Sequence, residues 1–182
     1  PRPGSTVAVF GLGAVGLSAV AAARLSGCSR VIGVDLNPAR LELAREFGVT
    51  DIIEAGAEDP ISAIHQIVPG GVDGAIEASG AKKALSDAFS STSLTGTTVL
   101  VGAAPVGTTY EIDSVSLLAG RTLRGCTMGL ANPRVFIPQL VRMWGQGLLP
   151  IEKMSTKFKL SEIDAALAAA ADGSVVKPVL IP

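Results

Sequence analysis

Gly11, Gly13 and Gly16 form a G-x-G-x-x-G turn that leaves the β-branched run Thr6–Phe10 and enters a stretch of small apolar residues. A second apolar run, Arg30–Asp35, ends in an acid 19 residues after Gly16. These residue types at this spacing can grip a dinucleotide. Gly11 permits the tight turn out of a strand, Gly13 has no Cβ to block a pyrophosphate, and Gly16 lets the following helix lie close to the sheet. The helix N-terminus offers free N–H groups to the phosphates. Asp35 falls where a carboxylate accepts the adenosine ribose hydroxyls. The plainer alternative is a glycine-rich turn with no ligand, but the strand–turn–helix placement and the spaced acid favour the dinucleotide. A carboxylate repels a 2′-phosphate, so Asp35 selects NAD over NADP. Arg40 lies just beyond and could hold a phosphate in a two-pronged way. On a helix starting near Pro38, a solvated surface charge explains it equally well. NAD is therefore the expected cofactor.

Groups that could do chemistry on a substrate are missing. The only histidine, His65, lies inside a helical pattern away from the glycine turn, where a solvated helix position accounts for it. No Cys/His/Asp/Glu cluster has the spacing of a zinc site, and no Ser-His-Asp set can be assembled. Cys28 and Cys126 are too far apart in sequence for a metal or redox motif. Each is expected to be a small buried hydrophobe. The sequence thus predicts a chain that binds a cofactor and supplies no acid, base or metal to work with it.

The whole composition agrees with that. In 182 residues, 15 Lys+Arg against 16 Asp+Glu leave a net charge of -1, which gives no electrostatic case for nucleic acid or an anionic membrane. Hydrophobic residues make up 48% and aromatics only 4%, a balance suited to a sheet packed between alanine-rich helices. Nothing in the cysteine content demands an oxidising compartment, so a cytoplasmic location is expected. The uncharged run from Gly4 to Ala23, preceded by Arg2 and ending in Ala21-Ala-Ala23, could be mistaken for a signal peptide or a membrane span. Its three glycines disfavour one continuous helix, and a strand, turn and helix account for them.

To bring the glycine turn and the acid together, the chain must alternate strands with helices. Strands are expected near Val7–Phe10, Val31–Asp35, Asp51–Ile53, Gly74–Glu77, Thr98–Val101 and Thr122–Cys126. Helices fall between them, near Ala14–Leu25, Pro38–Phe47, Ile61–Val68 and Lys82–Ser91. Right-handed crossovers then give an α/β fold, a doubly wound six-stranded parallel Rossmann sheet of order 3-2-1-4-5-6. Its ligand crevice lies at the carboxyl ends of the first and fourth strands, which collects Gly11–Gly16, Asp35, Glu77–Gly80 and Val101–Ala104 around one cleft. After Thr127 the pattern becomes a helix–strand–helix–strand appendage. It comprises a helix at Pro133–Gln146, an extended piece at Thr156–Lys159, a helix opened by a Ser161 cap with an acid at Asp164 and closed at Gly173, and a strand at Val175–Ile181.

The motifs Gly11-Leu-Gly-Ala-Val-Gly-Leu17, Arg30-Val-Ile-Gly-Val-Asp-Leu-Asn37, Gly71-Val-Asp73, Glu77-Ala-Ser-Gly80, Val101-Gly102 and Gly120-Arg-Thr-Leu-Arg-Gly125 resemble the zinc-dependent medium-chain alcohol dehydrogenases. The nearest branch is that of the class I and glutathione-linked formaldehyde dehydrogenases. The resemblance spans essentially the whole chain. It implies an NAD-binding domain over residues 1–128 and, over 129–182, a segment that returns to the catalytic domain. The family's N-terminal catalytic domain, with its zinc ligands and proton relay, has no counterpart here, so zinc belongs to the full-length enzyme and the chain alone is expected to be inactive.

The resemblance also implies roles. Gly11, Leu12, Gly13, Ala14, Val15 and Gly16 would bind the pyrophosphate, with Val15 near the nicotinamide. Asp35 would take the ribose, with Arg40 beside it. Backbone groups of Val101, Gly102 and Ala103, and of Cys126, Thr127 and Met128, would hold the carboxamide. Lys177 stands where the family often has an arginine that reaches the pyrophosphate, a point charge in place of a fork. The reaction would be hydride transfer between NAD and a zinc-bound small alcohol or aldehyde. The strand at 122–126 would pair with its own copy to make a homodimer. Two readings from other classes stay open: an S-adenosylmethionine-dependent methyltransferase, which also uses a glycine-rich first turn, and a non-catalytic NAD-sensing domain.

Overall fold

Strand β1 (Thr6–Phe10) alternates its side chains between the two faces of a sheet, and both faces are apolar. Val7 and Val9 point to one side, Ala8 and Phe10 to the other, and all four are buried. That is the pattern of a central parallel strand covered by helices on both sides. The computed structural model describes all 182 residues. It has the expected six-stranded parallel sheet, in which β1 is flanked by β2 (Arg30–Asp35) and β4 (Val72–Glu77). β3 (Asp51–Glu54) lies outside β2, while β5 (Thr92–Leu100) and β6 (Thr122–Gly125) extend the other half, giving the order 3-2-1-4-5-6.

Helices α1 (Ala14–Leu25) and α2 (Pro38–Arg45) cover the Val7/Val9 face with Leu17, Val20 and Leu41. Helices α3 (Pro60–Ile67) and α4 (Lys82–Ser90) cover the Phe10 face with Ile64 and Ala88. Proline at the first turn and an N-cap side chain start α2 and α3: Asn37 accepts from the Ala39 N–H, and Asp59 from the Ser62 N–H. The Ser62 hydroxyl and N–H together hold the Asp59 carboxyl below its usual range. Cys28 is buried in the first core as expected, and burial pushes its thiol up. Cys126, by contrast, is only half-buried and lines a surface cavity beside β6, so its expected core position does not hold.

Several boundaries differ from the sequence reading. β5 begins at Thr92, because Val72 pairs with Thr92 before the register slips to Gly74 with Thr97. Gly96 interrupts the apolar pattern there and hides the early half of the strand. Helix α5 (Ser114–Leu118) was not expected, although Asp113 caps it by accepting from Val115 and Ser116. Five residues are too few to show a helical period. In the C-terminal segment, α6 (Pro133–Gly145) and the short α7 (Ile151–Met154) lead to β7 (Ser155–Lys159), α8 (Ile163–Ala171) and β8 (Lys177–Ile181). β7 and β8 form a separate parallel pair. Ser161 does not cap α8; Glu162 instead reaches back to accept the Lys159 N–H at 2.7 Å. β8 starts two residues later than Val175, whose N–H still donates to the Ala169 carbonyl as the chain turns off the helix. Leu149, Met154 and Val176 pack into the first core, which ties this segment to the sheet. No helix is long and apolar enough to cross a membrane.

Candidate functional site

The glycine turn begins where the β1 ladder ends. The Gly11 N–H donates to the Val34 carbonyl at 2.8 Å, and Gly11 itself adopts a left-handed φ of +87°. From there the chain reverses into α1, and the three glycines meet different surroundings. A Cβ on Gly16 would collide with the Gly11 carbonyl oxygen, so only glycine allows this closeness of helix and turn. A Cβ on Gly13 would meet nothing within 4 Å, because Gly13 faces open space at the head of α1. No side chain caps that helix, so its first N–H groups are available to an anion. An uncapped helix start beside open space is a geometry that can receive an anion.

Asp35 closes β2 beside the turn and is half-buried. One carboxylate oxygen accepts the buried Leu12 N–H at 2.6 Å, and the other accepts the Asn37 N–H at 2.9 Å. The acid therefore braces the glycine turn against the start of α2. A carboxylate has about four lone-pair positions, so two remain to accept from a ligand's donors. A groove of about 510 Å³ opens here, lined by Gly11, Gly13, Asp35, Leu36, Asn37 and Arg40, with Ala78 and Ser79 from the end of β4. The Arg40 Nε is buried without a hydrogen-bond partner, and a Cβ on Gly173 would sit 3.3 Å from Arg40 Nη2. Ala171, Asp172 and Gly173 at the end of α8 thus form one wall of the groove, a contribution with no local sequence signal. Pro60, Lys83 and Asp87 form the far wall, Lys83 pairing with Asp87 at 2.5 Å.

The other sequence-derived candidates are placed as follows. Ala14, Val15 and Gly16 form the first turn of α1, with Val15 54% exposed. Val101 and Gly102 are tied by their N–H groups to the Glu77 carbonyl, and Ala103 packs against Gly80. The Cys126 N–H donates to the Leu100 carbonyl at 2.9 Å, so the loops at 101–103 and 126–128 leave adjoining strands side by side. Met128 is exposed and left-handed, with φ of +54°. Lys177 is exposed at the start of β8, and the groove is not lined by it. His65 lies half-buried on α3. No three His, Cys, Asp or Glu side chains stand together where they could hold a metal ion.

The family model of zinc-binding dehydrogenases matches residues 14–143, most of the chain. The chain belongs to the zinc-binding dehydrogenase family. Alcohol dehydrogenase 1 of Trifolium repens is 39% identical over 184 residues, a match covering 99% of this chain and 48% of that protein. Among solved structures of the family, an alcohol dehydrogenase zinc-binding domain protein from Burkholderia ambifaria superposes with a TM-score of 0.96 at 43% identity, over 100% of this chain and 50% of that one. A zinc-binding dehydrogenase from Sinorhizobium meliloti 1021, solved bound to NADP, gives a TM-score of 0.90 at 30% identity over 100% and 53%. The chain spans about half the length of the relatives it matches. Membership in a dehydrogenase family, with a sheet whose six strands all run parallel, favours the dehydrogenase reading over the methyltransferase and sensor readings.

Proposed function

We propose that this chain is the coenzyme-binding half of a zinc-dependent alcohol dehydrogenase, nearest the class I and glutathione-linked formaldehyde dehydrogenase branch. Its reaction is hydride transfer between NAD and a small alcohol or aldehyde. The observation that carries the reading is the groove in which the uncapped start of α1, the open face of Gly13 and the Asp35 carboxylate converge. In such a site the N–H groups of Gly13, Ala14 and Val15 hold the pyrophosphate and Asp35 holds the adenosine ribose. The paired loops at 101–103 and 126–128 offer backbone groups to the carboxamide. NAD, when bound, supplies the hydride acceptor. The side chains present do not fit a catalytic zinc, so zinc ligands and the proton relay belong to residues outside this chain. The free thiols of Cys28 and Cys126 support a cytoplasmic placement.

The direct test is calorimetry with NADH and NADPH on the 182-residue chain. We expect NADH to bind at least tenfold more tightly, because the 2′-phosphate of NADPH would face the Asp35 carboxylate, and like charges in a groove repel. Equal affinities, or tighter NADPH binding, would remove Asp35 from its assigned role.

We also propose a homodimer through β6. It is the last strand of the sheet, and one side of it has no partner strand in the chain. Pairing with its own copy across a twofold axis closes that edge. The alternative is that Arg121 and Arg124 are charges guarding a solvent-exposed edge; the Arg121 guanidinium donates to the Ser93 carbonyl and stacks over Phe89 at 5.6 Å, while Arg124 is exposed on β6. Light scattering at roughly 50 µM, where a micromolar dimer persists, is expected to show twice the chain mass. A Leu123→Pro variant is expected to be monomeric, and a monomeric wild type would defeat the dimer.

A further inference from the structure

Glu77 ends β4 and is fully buried, yet it makes no ion pair. One carboxylate oxygen, Oε1, accepts three hydrogen bonds, from the Ser79 N–H at 2.7 Å, the Ser79 hydroxyl at 2.5 Å and the Gly80 N–H at 2.8 Å. The other, Oε2, is shielded from solvent and has no partner. The backbone carbonyl of the same residue accepts the N–H groups of Val101 and Gly102, both at 2.9 Å. Glu77 therefore fastens two loops at once, 78–81 by its side chain and 101–103 by its backbone.

Those loops fit each other without side chains between them. A Cβ on Gly102 would lie 2.6 Å from Glu77 Oε2 and closer still to the Gly80 nitrogen. A Cβ on Gly80 would lie 2.6 Å from the Ala103 carbonyl oxygen. On its other side Ser79 leans on the phosphate turn, since a Cβ on Gly11 would meet both the Ser79 nitrogen and its Cβ at 2.7 Å. Ala78 and Ser79 line the groove, whereas Glu77 lies beneath them and lines none of it. An unpartnered buried oxygen is unfavourable, and an apolar side chain of similar volume would avoid that cost. What an apolar residue could not do is accept three donors from a turn that must sit against two other loops.

We propose that Glu77 is a positioning residue of the dinucleotide site, setting the Ser79–Gly80 turn between the phosphate turn and the 101–103 loop. The proposal rests on the dinucleotide-binding reading above. It is the reach of Oε1 to its three donors that matters, and not the negative charge. Two variants separate these. Glu77→Gln keeps an oxygen at the same reach and loses the charge; Glu77→Asp keeps the charge and withdraws the oxygens by one methylene. NADH titrated by its own fluorescence, alongside thermal melting of each chain, reads both. The expected result is that Glu77→Gln binds NADH within about threefold of wild type, less than half of one hydrogen bond to a charged group. Glu77→Asp is expected to stay folded with a lowered melting temperature and to bind at least tenfold more weakly. An Asp variant that binds as wild type does, or that fails to fold, overturns the proposal, the latter by making Glu77 a requirement of the fold. So does a folded Gln variant that loses NADH. A wild-type chain that binds no NADH overturns the dinucleotide reading itself, and this proposal with it.

Discussion

Gly16→Ala is expected to abolish NADH binding and to lower the melting temperature together. The Cβ added at Gly16 has no free position, because the Gly11 carbonyl oxygen occupies it. Either α1 moves away from the turn or the turn moves away from β1, and both elements are anchored in the same core through Val9, Leu12 and Leu17. Overpacking of this kind costs typically about 1–3 kcal/mol, which for a chain of this size is a fall of roughly 2–12 °C in Tm. Binding is expected to weaken at least a hundredfold, since the N–H groups of the first helical turn no longer converge. Gly13→Ala is the matched control. Gly13 has an ordinary φ of −71° and open space where its Cβ would stand. That variant is expected to melt like wild type while still losing NADH, because its methyl group meets only the ligand. If Gly16→Ala melts and binds as wild type does, the close approach of helix and turn is not what shapes the cradle.

Asp35→Ala is expected to weaken NADH binding by about 10- to 150-fold, the loss of one hydrogen bond to a charged acceptor at about 1.5–3 kcal/mol. NADPH binding is expected not to fall, because the same substitution removes the carboxylate that opposes a 2′-phosphate in a groove that Arg40 also lines. That asymmetry distinguishes a ligand contact from a general disturbance. Asp35 also accepts the buried Leu12 N–H and the Asn37 N–H, so its removal loosens the turn to some degree. A merely structural effect would weaken both nucleotides alike. Calorimetry with NADH and NADPH on the variant decides, and an equal loss for the two would sink the ribose role.

The sheet was legible in the chain because its central strands are short, apolar and β-branched, separated by helices with proline starts and glycine stops. The C-terminal bounds were harder to read. Glu162 turns back to accept the Lys159 N–H ahead of the helix, no side chain caps α8, and the backbone is still leaving α8 at Val175. Whether a serine next to a helix start turns its hydroxyl to cap it is not written in residue type alone. The same holds for Cys126, whose half-exposed place beside β6 depends on what covers that face of the sheet and not on its own apolar character.

The sequence by itself determined the order of strands, the glycine turn and the acid at the end of the second strand, because these depend on local backbone freedom, on period-two patterning and on right-handed crossover. Tertiary structure alone decided the rest of the groove. Ala171–Gly173 come to Arg40 from over 130 residues away, and Glu77 becomes the fastening of two loops only when β4 lies between β1 and β5. The same carboxylate read in isolation is one more acid at a strand end. Burial and three converging donors make it part of the site, and both arise from long-range packing that no window along the chain contains.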